Sequence, residues 1–160
     1  GHETTTNLLS NALHRCLSEP GVWATMVADP STIPGAVEET LRFDSSVIAW
    51  RRVTTTEAVI GETTVPAGAK ILVLLGSANR DPAVFDQPER FDISRTDSRY
   101  LSFGWGKHYC LGAPLAKLEL EVVLQELTCR LPNLRLADDR PLTYHRNVCF
   151  RGPRSLHLTW

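Results

Sequence analysis

Residues 103–112 read Phe103-Gly104-Trp105-Gly106-Lys107-His108-Tyr109-Cys110-Leu111-Gly112: three glycines and one cysteine, followed at once by a strongly helix-forming run. Gly104 and Gly106 permit positive φ and hence a tight, hairpin-like bend. The bend delivers Cys110 to the start of a helix predicted over residues 113–131, whose first turn holds Pro114, a residue tolerated there. Unbonded N–H groups and the positive end of the helix dipole then face the sulfur, conditions that favour a thiolate. Gly112 leaves space where a side chain would collide with anything flat lying over that sulfur. Two chemistries use a thiolate so placed: a nucleophile with His108 as its base, or a ligand to a soft or borderline metal. A lone cysteine is more often a small buried apolar residue. The spaced glycines and Phe103 weigh against that here.

The rest of the composition narrows the class. A chain of 160 residues has the length of one domain, and its formal net charge of -1 lacks the basic footprint of a nucleic-acid binder. The longest apolar run, Ile71 to Leu75, is far too short to cross a membrane, so no membrane anchor is expected in this segment. Cys16, Cys110, Cys129 and Cys149 form no CxxC pair, which argues against a zinc site or a disulfide framework and for a reducing, cytoplasmic setting. Cys16 and Cys129 read as core residues. The first residues lack an initiator Met and a polar cap, yet Leu8, Leu9, Ala12, Leu13 and Cys16 already follow helical spacing. The expectation is a chain joined in the middle of a helix, the C-terminal piece of something longer.

Along the chain, Glu19-Pro20-Gly21 ends the first helix and Asp29-Pro30 ends a short one over residues 22–28. Ser31 or Thr32 caps a third helix with Pro34 in its first turn, carrying Val37, Leu41 and Phe43 as apolar contacts with Glu38, Glu39 and Arg42 between them. Between residues 52 and 75, β-branched residues and two glycine-marked turns predict a small antiparallel sheet. A brief helical turn follows over residues 77–79. About twenty residues without periodicity come next, a length that usually signals function. The 113–131 helix has Leu115, Leu118, Val122, Leu127 and Leu131 near a helical period, and residues 142–160 suggest a terminal hairpin.

Phe103-x-x-Gly106-x-x-x-Cys110-x-Gly112 resembles the haem-binding signature of the cytochromes P450, and His108 with Leu111 is similar to the soluble bacterial branch. The resemblance covers the whole chain. It implies a mainly α fold with small antiparallel β-sheets, residues 1–160 being the C-terminal portion of a single P450 domain whose N-terminal part is absent. Cys110 would be the axial thiolate ligand of the iron in haem b, with Phe103, Gly106 and Gly112 shaping the cradle. Arg52 and His108 would bind propionates, with Arg51 the one-residue alternative to Arg52. Glu39 and Arg42 match the family's buried ExxR pair, completed by a third arginine, Arg90 of Pro88-Glu89-Arg90-Phe91, so the irregular segment would be the family's meander. Gly1, Glu3 and Thr4 match the central-helix motif, in which Thr4 and Glu3 would pass protons toward dioxygen.

The same resemblance places Ser46, Val47, Ile48, Ala49, Val148 and Cys149 against a small apolar organic substrate. It implies a monooxygenase that uses O2 and NAD(P)H-derived electrons, brought by a ferredoxin or flavodoxin-type donor docking near Arg99, Lys107 and Lys117. Tyr100 departs from the branch, whose members often have His there. The competing expectations are a truncated, inactive remnant that binds no haem stably, and a cysteine hydrolase using Cys110 and His108. The hydrolase leaves the ExxR pair unexplained.

Overall fold

The helical spacing at the start of the chain is realised as α1 (His2–Ser18) in the computed structural model, which describes residues 2–97, 99–137 and 141–160. Gly1 lies outside the described residues. Leu8, Ala12 and Cys16 form the buried stripe of α1, one helical face as the periodicity requires. Burial pushes the Cys16 thiol up to about 12, so it stays neutral and inert. α2 (Val22–Ala28) follows the left-handed Gly21 and inserts Trp23 and Met26 into the same core. A single 3-10 turn over Pro30–Thr32 leads into α3 (Ile33–Phe43). The cap differs from the expectation: Asp29 accepts the Ser31 N–H at 3.0 Å, while the Thr32 hydroxyl donates to the Asp29 carbonyl.

α3 is buried almost throughout, charged residues included. Ile33, Val37 and Leu41 meet Leu8 and Ala12 of α1 and Leu120 and Leu124 of α5 (Ala113–Arg130) in one continuous core. Each fully buried side chain of this kind contributes roughly 1.5–3 kcal/mol relative to exposure. α5 buries Ala113, Leu120, Leu124 and Thr128, a stripe different from the one its leucines suggested. Leu115, Leu118 and Val122 are exposed, so this helix is apolar on two faces.

The predicted sheet is two separate ladders. β1 (Trp50–Val53) pairs antiparallel with β4 (Lys70–Val73), and the hairpin of β2 (Ala58–Ile60) and β3 (Thr63–Val65) lies between them in sequence. The brief helix α4 (Leu75–Ala78) starts two residues earlier than predicted. In the tail, a bridge between Tyr144 and Pro153 closes a reversal whose turn is organised by Asn147. The last strand, β6 (Leu158–Thr159), pairs with β5 (Arg135–Leu136) just after α5 and not with the tail itself. Cys129 is exposed, a correction to its assignment as core; it follows Thr128, whose place in the buried stripe turns its neighbour outward.

A second charge cluster, absent from the sequence reading, ties α1 to the tail. Asp44 is nearly inaccessible and takes Arg15 Nε at 3.1 Å and Arg151 Nε at 3.0 Å. Asn11 donates to the carbonyls of Asp44 and Arg151 beside it. His14 stands at this cluster with its Nδ1 buried and unpartnered. Burial, and then the Arg15 charge, lower its pKa from the ordinary 6.5. The unfolded chain therefore takes up a proton that the folded chain resists, so stability is full above that ordinary value and is lost as pH falls below it. Thermal melts between about pH 8 and pH 5 should show this acid loss, and His14→Gln should flatten it. An unchanged slope in His14→Gln would assign the loss to other groups.

Candidate active site

Glu39 and Arg42 are adjacent on one face of α3 because residues three apart share a helix side. Their side chains are almost fully buried and joined twice, Nη2 to Oε1 at 2.7 Å and Nε to Oε2 at 2.8 Å. Arg42 then spends its remaining donors on main-chain carbonyls of Asn79 (3.0 Å), Pro88 (2.9 Å) and Arg90 (3.0 Å). All five guanidinium N–H groups are satisfied, which makes burial of the charge tolerable. Glu39 Oε1 also accepts the Asp92 N–H at 2.8 Å.

The irregular stretch is thus held by its backbone at residues 88, 90 and 92. Gly35 of α3 lies where any Cβ would run into the Ile93 carbonyl, so helix and meander approach as closely as their main chains allow. The third arginine is Arg95 and not Arg90. Arg95 Nε, itself buried, lies 3.3 Å from Glu39 Oε2 but out of line for a hydrogen bond, while its other nitrogens reach the Asp86 and Gln87 carbonyls. Arg90 offers only its carbonyl to the cluster; its guanidinium is 65% exposed beside Asp92. The register is the reason: Phe91 turns into the core against Phe43, and its neighbour Arg90 turns out.

Asn79, fully buried, carries the order on to the cysteine loop. It donates to Ser102 Oγ at 2.8 Å and accepts the Leu101 N–H at 2.7 Å, and Ser102 donates to the Leu41 carbonyl. The loop turns at Gly104 (φ 76°) and Gly106 (φ 68°), then closes with Cys110 N–H donating to Phe103 O at 2.9 Å. A 3-10 turn over Gly106–His108 precedes the thiol. Leu111 and Gly112 N–H make no hydrogen bond among the described residues and stay available to the sulfur. A Cβ on Gly112 would stand 3.9 Å from Cys110 Sγ. The Cys110 side of the loop is exposed.

Cys110 opens onto a cavity of about 580 Å³ that also touches Thr4, Thr5 and Leu8 of α1, Ser46 and Val47, Arg52, Phe103, His108, Gly112 and Phe150. Glu3 is exposed at the start of α1, outside the lining. Thr5 lines it although only Thr4 stood out in the sequence. Gly106 contributes its turn and no wall. Four of the residues expected against substrate do not line this cavity. Ile48 packs against Gly76 and Ala49 is buried in the protein, so neither faces the cavity. Val148 is half exposed, and Cys149 is occupied through its carbonyl, which accepts Ile48 N–H at 2.8 Å. Phe150, bridged to Val47, takes their place because alternate residues of an extended chain face opposite sides. Of the three basic residues assigned to partner docking, Arg99 is held by Asp97 at 2.6 Å and Lys117 by Glu38 at 2.7 Å.

The donor set can be tested against a metal group. Among the described residues no three His, Cys, Asp or Glu side chains cluster in a way that could hold an ion. Cys110 alone suits a metal whose other ligands come with it, as in haem. The cleared Gly112, the free N–H groups at the sulfur, and Arg52 and His108 on the same cavity fit that group and its carboxylates.

Comparison with known proteins agrees with this geometry. The family model described as Cytochrome P450 matches residues 1–131. Similar curated proteins include Cytochrome P450 107B1 of Saccharopolyspora erythraea, 43% identical over 98% of this chain and 39% of that protein. The Cytochrome P450 monooxygenase PikC of Streptomyces venezuelae is 41% identical over the whole chain and 39% of its own length. Among solved structures, an intact type IV self-sufficient cytochrome P450 monooxygenase superposes with TM-score 0.97 at 46% identity, over 100% of this chain and 21% of that one. The chain spans about two fifths of the length of the curated relatives it matches.

The arginine cluster yields a graded expectation. Arg42→Met should cost about 3–5 kcal/mol, because it leaves Glu39 buried without its main partner. Arg95→Met should cost about 1–3 kcal/mol, and Arg90→Met no more than about 0.5 kcal/mol, since its carbonyl remains. Urea midpoints of the three variants check the order, and a larger loss at Arg90 than at Arg95 would refute the assignment.

Proposed function

The chain belongs to the cytochrome P450 family, and from that premise we propose that it is the haem-holding part of a haem-thiolate monooxygenase acting on small apolar organic molecules. What carries the proposal is the convergence of Cys110 and Thr4, far apart in the sequence, on one cavity. Haem b bound there supplies activation of O2, so that one oxygen atom enters a C–H or C=C bond and the other leaves as water, with two electrons from NAD(P)H and two protons.

The protein's own residues do the rest. Cys110 would hold the iron as thiolate, and the free N–H groups of Leu111 and Gly112 would temper the charge on its sulfur. Arg52 and His108 take the two carboxylates of the porphyrin. Phe103 packs edge-on against Tyr109, ring centroids 6.3 Å apart, and braces the loop that bears the thiol. The Thr4 hydroxyl, in the cavity lining, would hold a proton there, and Glu3, exposed at the helix start, would exchange protons with solvent. Ser46, Val47 and Phe150 orient the organic substrate; the apolar Val47 and Phe150 match an apolar ligand, with the Ser46 hydroxyl as a polar contact beside them.

Relatives bear names such as Steroid C26-monooxygenase, from Mycolicibacterium smegmatis at 40% identity, and a similar solved structure holds P450BioI with hexadec-9Z-enoic acid ligated Acyl Carrier Protein, TM-score 0.95 at 40% identity. They support an apolar substrate class here. Electrons arrive from a ferredoxin or flavodoxin-type donor on the face of Lys107, whose ammonium has no ion pair among the described residues. No described helix is long and apolar enough to cross a membrane, and a cytoplasmic setting is part of the proposal.

The full parent protein, reduced and exposed to carbon monoxide, should give a thiolate-type Soret band, and Cys110→Ser should abolish it. Residues 1–160 alone, reconstituted with hemin, should not give the band at full occupancy, because part of the cavity wall belongs to the remainder of the parent. A wild-type parent without the band would overturn the reading.

A further inference from the structure

Glu38 stands next to Glu39 on α3, and successive helical residues point about 100° apart. One carboxylate therefore turns inward to Arg42 while the other turns toward the cysteine loop. Glu38 Oε2 accepts the Tyr100 hydroxyl at 2.8 Å, and Glu38 Oε1 takes Lys117 Nζ at 2.7 Å. Lys117 Nζ also lies 5.5 Å from the centre of the Tyr100 ring, closing a triangle. Tyr100 precedes the loop and Lys117 follows it, near the start of α5. A single carboxylate thus ties both arms of the loop to the helix that bears the ExxR pair.

The contact is transmitted inward. The Tyr100 ring lies 6.5 Å from Phe103, the Phe103 ring lies 6.3 Å from Tyr109, and the Phe103 carbonyl holds the Cys110 N–H. Burial, with the Glu38 hydrogen bond, pushes the Tyr100 phenol well above its ordinary value, so it remains a donor. The Lys117–Glu38 pair is about one third exposed on both sides, so the ion pair in itself contributes little. Its value is geometric: two anchors on one rigid helix fix the separation of the loop's arms and with it the position of the sulfur.

We propose that Glu38 is a positioning residue for the iron–thiolate bond, acting through Tyr100 and Lys117 on the two arms of the Cys110 loop. The proposal rests on the haem-thiolate reading above. In the full-length holoprotein, Glu38→Ala should produce a several-fold larger fraction of the neutral-thiol type of ferrous–carbonyl complex than wild type. It should also raise the ferric–ferrous potential, because a slack loop donates less charge from sulfur. Tyr100→Phe and Lys117→Met should each give a smaller effect, and the double variant should match Glu38→Ala. The double variant also serves if Glu38→Ala does not fold.

Val37→Ala is the control. It removes buried volume from the same helix and should lower the melting temperature while leaving both readouts at wild-type values. Wild-type spectra and potential in Glu38→Ala and in the double variant would overturn the proposal. So would shifts that Val37→Ala reproduces at equal loss of stability. A wild-type parent without any thiolate-type complex would sink the haem-thiolate reading together with this one, which separates the two failures.

Discussion

A buried guanidinium is tolerable only when every N–H has an acceptor, and Arg42 meets that demand by gathering the chain around itself. Glu39 supplies two acceptors from one helical turn away, and the carbonyls of Asn79, Pro88 and Arg90 supply the others. Those carbonyls belong to a stretch with no helix or strand of its own. The cost of leaving Arg42 unsatisfied thereby becomes the force that gives the stretch a path. That path continues through Asn79 and Ser102 to Leu41 and the cysteine loop. The sulfur's position is an indirect consequence of a helix-borne charge.

The existence of the longer helices, and the turn at Gly104 and Gly106, were legible because local rules decide them. Cys110, Glu39 and Arg42 were legible because their spacing is local too. The misassigned arginine was not. Arg90 and Arg95 both follow the Pro88 motif, and only the inward turn of Phe91 settles which guanidinium reaches Glu39. The apolar pattern of α5 misled for a related reason: a helix with leucines on two sides does not declare which side meets α1 and α3. Asp44 was invisible because its arginines come from residues 15 and 151, contacts between distant parts of the chain that no window of sequence contains.

Two adjacent acidic residues on α3 illustrate how one helix organises two environments. Glu39 is shielded from solvent and balanced by the buried Arg42 and the largely covered Arg95, whereas Glu38 sits at the boundary with a phenol and an ammonium. The ExxR spacing singles out Glu39 in the sequence and gives Glu38 no role. Their roles divide because the helix turns between them. The lysine and arginine content near the loop shrinks in the same way once contacts are assigned, since Lys117 and Arg99 have carboxylate partners at close range.

Arg42 addresses the irregular segment only through main-chain oxygens, and this has a consequence for how the segment can change over generations. A carbonyl is the same in every residue, so the anchor is blind to the side chains at 79, 88 and 90. At 88 and 90 drift is filtered by whether the backbone can keep its route; only at 79 does a side chain matter as well, because the Asn79 amide bonds Ser102 and Leu101. The segment is therefore free to acquire new surface character, and with it new neighbours, while the distance from α3 to the sulfur is inherited intact.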